Sequence, residues 1–291
     1  MAPLSTTAQA LLERLSFLGH APVPDGLLDI RTPDAPAEDL RGAMAELTAR
    51  GFVSPGAGGH FPRPDNFAPL GREASRTSRQ HMIAALRWLD QAFDRDPRDP
   101  AHWPWLEPLM RHALFVSARA GAAGVMVPTI RLMNELALLH DVKGLLADAE
   151  MIYRRVLTLN EAHAGPDDPA VAVSLSNLAG LLYRTGDLAE VEALFRRALA
   201  IEEQAHGPEH AGVAHCLNNL ADLLRGTSRL EDARGLLHRA MVILTRQRHR
   251  TGQPSHAFPV IGVSIGGIME WFHGSREQAV ARLTSSREPH I

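Results

Sequence analysis

The chain has 291 residues, one cysteine and a formal net charge of -3 from 30 basic and 33 acidic side chains. That balance leaves no intrachain disulfide, no multi-cysteine zinc site and no basic block suited to a nucleic-acid backbone. Aromatic residues make up 5% while Leu and Ala dominate, which favours packed helices over sheets. The longest nearly uncharged run, Ala257 to Met269, is too short and too rich in glycine to span a bilayer, for which about 20 apolar residues are needed. Charge soon after Met1 predicts no secretory leader, and the expected setting is cytoplasmic.

In chain order, Leu11, Leu12, Leu15 and Leu18 fall at helical spacing, and a Pro-rich turn from Ala21 to Asp25 separates them from Leu27 and Leu28. A second helix follows Pro36, with Leu40, Met44 and Leu47 on its apolar face and Gly51 at its end. Phe52-Val53 and Gly58 to Phe61 then read as two short strands around a glycine turn. Helices followed by a small hairpin suggest a winged-helix-like module over residues 1–75. Residues 81–93 and 104–118 are further helices, joined by the polar turn Asp94 to His102, and define a helical connector over 76–125.

The remainder, 126–291, repeats itself at a 42-residue shift: Asn177-Leu178-Ala179 becomes Asn219-Leu220-Ala221, and Gly165-Pro166-Asp167 becomes Gly207-Pro208-Glu209. One shift back, Leu136-Ala137, Gly144, Leu146, Ala149 and Tyr153 fall in register as well. Leu175, Leu178, Ala179 and Leu182 share one helical face, and after Gly186 so do Leu188, Val191, Phe195, Ala198 and Leu199. Each unit is therefore a helical hairpin that must stack on its neighbours to bury that face. His140 at a position for a large apolar residue, and Ser228 in place of the turn glycine, predict softer packing. A degenerate fourth unit, with Pro254-Ser255-His256 and the apolar run Val260 to Ile268, reads as a terminal cap or docking surface.

The pattern Leu175, Leu178-Ala179, Leu182, Gly186, Leu188, Val191, Phe195, Ala198-Leu199 resembles a tetratricopeptide repeat, in the 42-residue variety of kinesin light chains. That resemblance implies an all-α fold: a right-handed superhelix, or α-solenoid, behind the winged-helix-like module. The order of the N-terminal pieces, with Leu11 to Leu28, Leu40 to Val53 and Asp99 to Pro104, resembles the C-terminal part of bacterial STAND-type NTPases of the NB-ARC kind. The stretch Phe61 to Phe67, with three prolines, departs from that family's pattern. So does the lack of a G-x-x-x-x-G-K-[ST] loop, since the single lysine, Lys143, sits in a repeat turn. ATP hydrolysis is thus not expected of this chain: either the nucleotide switch lies on a separate ATPase subunit, or the chain is a fragment or degenerate descendant of such an NTPase.

No catalytic residue, cofactor or metal is expected. Of 15 histidines, His206, His210 and His215 cluster, but His206 and His210 flank the Gly207-Pro208 bend rather than one helical face. His215 beside Cys216 points about 100° away on a helix, so Cys216 reads as a buried small hydrophobe rather than a nucleophile. The tetratricopeptide pattern places the first helix of each hairpin on the concave face. The expected peptide-binding groove is lined by Arg131, Asn134 and Glu135, then Asn177 and Tyr183, then Asn218, Asn219, Asp222 and Arg225. Amides clamp a peptide main chain through both donor and acceptor. The expected function is therefore non-enzymatic binding of a protein or peptide, as sensor or scaffold of a signalling or defence system. A DNA-binding regulator using the winged module is the alternative.

Overall fold

Ser5 and Asp39 open the first two helices of the computed structural model, which describes residues 3–19, 21–31, 39–62 and 76–251. Helix α1 spans Thr6–Leu15 and α2 spans Leu40–Ala49. The Ser5 hydroxyl accepts from the Ala8 amide at 3.2 Å and the Asp39 carboxylate accepts from Gly42 at 2.8 Å, satisfying donors that a helix start otherwise leaves open. Leu11, Leu12 and Leu15 on α1 and Met44 and Leu47 on α2 are buried, as their spacing requires. Between them, Asp25–Asp29 form a single 3-10 turn.

Strands β1 (Val53–Gly56) and β2 (Gly59–Pro62) pair antiparallel, with Val53 opposite Pro62. Val23 adds a one-residue third strand: its amide donates to His60 O at 2.8 Å and its carbonyl accepts from His60 N at 2.9 Å. Gly59 makes this possible, because its φ is +133° and a Cβ there would collide with the Val23 carbonyl.

Helices α3 (Arg76–Ala92) and α4 (Trp103–Ala122) pack on the module through two polar anchors set in apolar surroundings. Trp88, fully buried, donates its indole N–H to the Leu27 carbonyl at 2.9 Å. His112, equally buried, holds Nδ1 2.5 Å from Leu18 O and Nε2 3.0 Å from Pro22 O. Both anchors end on carbonyls of the segment between α1 and α2: His112 meets those of Leu18 and Pro22, and Trp88 adds a second donor to Leu27 O, which already accepts from the Ile30 amide at 3.2 Å.

The first helical hairpin follows: α5 (Val127–Val142) and α6 (Leu146–Ala164), with α3 and α4 both against α5. All elements so far belong to one compact unit, Met1–Asp168; a second begins at Pro169. In the second, α7 (Pro169–Thr185) pairs with α8 (Leu188–His206), and α9 (Ala211–Gly226) pairs with α10 (Leu230–Thr251). Helix α9 also lies against α8. Val213, Ala214 and Leu217 of α9 close over Ala240 and Ile243 of α10. The fold class is all-α, as the repeat pattern predicts. The degenerate fourth unit with its Val260 to Ile268 run, and the stretch from Arg63 to Phe67, lie outside the described residues.

The two expected soft spots differ in kind. His140 is buried, but its Nδ1 lies 2.8 Å from Leu136 O one turn back, so its polar edge is met within its own helix. Ser228 is strained. At φ +62° it is the one non-glycine residue in the left-handed region among the described residues, at the turn where Gly144 and Gly186 stand in the earlier hairpins at +78° and +98°. A left-handed L-residue costs about 1–2 kcal/mol, partly offset by the extra freedom glycine has in the unfolded chain. Ser228→Gly should therefore stabilise the protein by roughly 0.5–1 kcal/mol. A higher denaturant midpoint at unchanged slope would show it; a lower midpoint would show that the serine is not strained.

Candidate functional site

Helix α9 divides its surface by period. Val213, Leu217, Leu220 and Leu224 are buried on the packing side, while His215, the adjacent pair Asn218 and Asn219, and Asp222 fall about one turn apart as a half-buried stripe that ends at exposed Arg225. Arg225 Nη2 donates to Asp222 Oδ1 at 3.1 Å. Burial pushes the Asp222 carboxyl above the ordinary range, and the Arg225 guanidinium works in the opposite direction.

On α7 the stripe is less open. Asn177 is only 8% exposed, so it belongs to the interior edge of the face more than to its surface. Ser176 and Gly180 are half-buried beside it, and a Cβ on Gly180 would meet open space. Tyr183 is 39% exposed, and its hydroxyl reaches the end of α9: a Cβ on Gly226 would collide with it. The glycine thus lets the phenol bring the last turn of α7 to the last turn of α9. That contact was invisible in sequence, because nothing in the 42-residue register pairs Tyr183 with Gly226.

The remaining residues expected to line a groove, Arg131, Asn134 and Glu135, stand on α5 in the first unit. Arg131 Nε donates to Asp90 Oδ1 at 2.6 Å, and its Nη2 lies 3.3 Å from the Asp90 carbonyl, so this guanidinium ties α5 to α3. Glu135 is half-buried, and burial raises its carboxyl pKa against the pull of Arg131.

Cys216 is buried and shares a hydrogen bond with Ser176, and burial pushes its thiol up to about 12. His215 is lowered from its ordinary value, chiefly by burial. A thiol raised and an imidazole lowered are the reverse of an activated nucleophile pair. Alkylation of Cys216 at pH 8 should be slower by roughly a hundredfold or more in the folded protein than in guanidinium. Equal rates measured by mass spectrometry would show the site open.

One grouping was missed by reading the sequence. The side chains of Glu202, His206 and His210 bring one nitrogen or carboxylate oxygen each to within 4.8 Å of one another. The sequence contained a signal for it: Glu202 and His206 are one turn apart on α8, and His210 caps α9 four residues later. The two histidines by themselves only flank the Gly207-Pro208 bend; the carboxylate one turn before His206 is what spans it.

Residues 128–204 and 174–246 match the tetratricopeptide repeat family model. No curated protein matches the chain. Among solved structures, BtubC (BKLC) from P. vanneervenii is similar at 19% identity over 69% of this chain and 84% of its own, with a TM-score of 0.46. Among the described residues, no helix is long and apolar enough to cross a membrane. The chain is all-α, and its helical hairpins between residues 128 and 246 are of tetratricopeptide type, a repeat suited to a protein-interaction or scaffold role.

Proposed function

We propose that the chain is a non-enzymatic, cytoplasmic protein- or peptide-binding component whose first-helix face grips an extended segment of its partner. The observation that carries this reading is the α9 stripe: Asn218, Asn219, Asp222 and Arg225 stay partly open to solvent, although the hairpin needs only the opposite side of the helix to pack. Amides at Asn218 and Asn219 suit a peptide main chain, Tyr183 offers a ring face, and the Asp222–Arg225 pair offers both charges. Asn177, being buried, supports the shape of the face; Asn134, Glu135 and Arg131 would offer polar contacts of their own on the first unit's hairpin.

The first unit supports a sensor or scaffold role in a STAND-like signalling or defence system with the ATPase on another polypeptide. Its order of helix, bridging residue, short helix, helix and hairpin supports reading it as a winged-helix-like module. DNA reading by this module is the less favoured alternative. On α2, Arg41 is held by both Asp29 oxygens at 2.6 Å, and Arg50 donates to Glu46 at 2.8 Å, so the helix presents neutralised pairs where a recognition helix presents unpaired bases.

The test compares the full chain with an Asn219→Ala, Arg225→Ala variant. Partners are captured by crosslinking in the source cell, and the crosslinked segment is then titrated as a synthetic peptide. The variant should bind at least tenfold more weakly with an unchanged melting temperature. Equal affinity would refute the α9 stripe as the binding face, and salt-sensitive binding of duplex DNA to the wild-type chain would favour the regulator instead.

A further inference from the structure

We infer that Glu202, His206 and His210 form a binding site for one divalent transition cation of the zinc class, at the bend where α8 gives way to α9. Glu202 is 7% exposed, yet its Oε2 lies 3.1 Å from His206 Nδ1 and 3.6 Å from His210 Nδ1. Zinc bound tetrahedrally at ~2.0–2.2 Å to nitrogen and oxygen sets its ligand atoms ~3.3–3.5 Å apart. The two oxygen–nitrogen separations lie on either side of that value. The imidazoles are stacked, with centroids 4.2 Å apart and planes 25° from parallel; their ligand nitrogens lie within 4.8 Å of each other, an edge that both rings would turn to close around a cation. Two imidazoles and one carboxylate are a donor set suited to zinc, cobalt(II) or nickel(II), with solvent completing the shell. His210 Nδ1 also accepts from the Gly212 amide at 3.2 Å, so the cation would take over an atom that now caps α9.

The repeat itself supplies a control. At the 42-residue shift, Asn160, Ala164 and Asp168 occupy the positions of Glu202, His206 and His210, so the hairpin junction does not require any of the three ligands. Ala170 likewise occupies the position of Gly212. A Cβ on Gly212 would collide with Glu202 Oε2. The glycine therefore stands at the bend that has the carboxylate, and alanine stands at the bend that lacks it. This inference is independent of the groove reading, since it concerns the other end of α9.

The site is tested on the full-length chain, stripped with chelator, by calorimetric titration with Zn2+ and by the visible absorption of added Co2+. The decisive comparison is the variant Glu202→Asn, His206→Ala, His210→Asp, which installs the neighbouring repeat's own residues and is therefore expected to fold. His206→Ala alone serves as a milder second variant. The wild type should take up one equivalent of Zn2+, show Co2+ ligand-field bands and gain melting temperature with Zn2+. The triple variant should lose the bands and the thermal gain, and both variants should bind Zn2+ at least tenfold more weakly. Absence of Zn2+ uptake by the wild type, or Zn2+ affinity in the triple variant within twofold of the wild type, would overturn the assignment.

Discussion

Close approach of two antiparallel helices at a small residue is the constraint from which the other features of the repeat region follow. Ala179 and Ala198 in one hairpin, and Ala221 and Ala240 in the next, are fully or almost fully buried, which lets the helix backbones come together. Helices that close need a tight connection, so the chain turns through a left-handed residue: Gly144, Gly186 and, at a cost, Ser228. The packing side of each first helix is then fully used by leucine, valine and alanine. The opposite stripe is left free of packing duty, which is why polar side chains such as Asn218, Asn219 and Asp222 can collect there without opening the core.

The hairpins were legible because the period of 42 exposes both helices and their turns at once, and because leucine at 3.6-residue spacing has one economical reading. The small N-terminal hairpin was legible for a similar reason, since glycine at 58 and 59 punctuates two short apolar runs. What escaped is every contact made between residues with no register to link them. Trp88 reaching the Leu27 carbonyl, His112 spanning Leu18 and Pro22, and Tyr183 resting on Gly226 are tertiary events with no local pattern.

Exposure was the other quantity that spacing could not supply. Asn177 and Asn219 are equivalent in sequence, yet the first is buried and the second half-buried. The groove expected from the repeat pattern thus contains members with different jobs. Arg131 belongs to it by position, but its guanidinium holds Asp90, which makes it a brace between α3 and α5. The polar stripe of α9 keeps more of its hydrogen-bonding capacity toward solvent and so carries the weight of the binding proposal.

Glu202 shows how one charge organises its surroundings. A buried carboxylate is costly unless compensated, and here it sits beside the first turn of α9, where the exposed amide dipoles favour negative charge. Its field, added to burial, helps push the Cys216 thiol up and opposes the lowering of His215. The equivalent bend avoids the cost altogether by using neutral Asn160. Compensation by two imidazoles, with room created by Gly212, therefore concentrates a charged, ligand-rich junction at one end of the helix whose other end carries Asp222 and Arg225. A cation held there would fix where α9 starts relative to α8, and with it the direction in which the α9 stripe is presented.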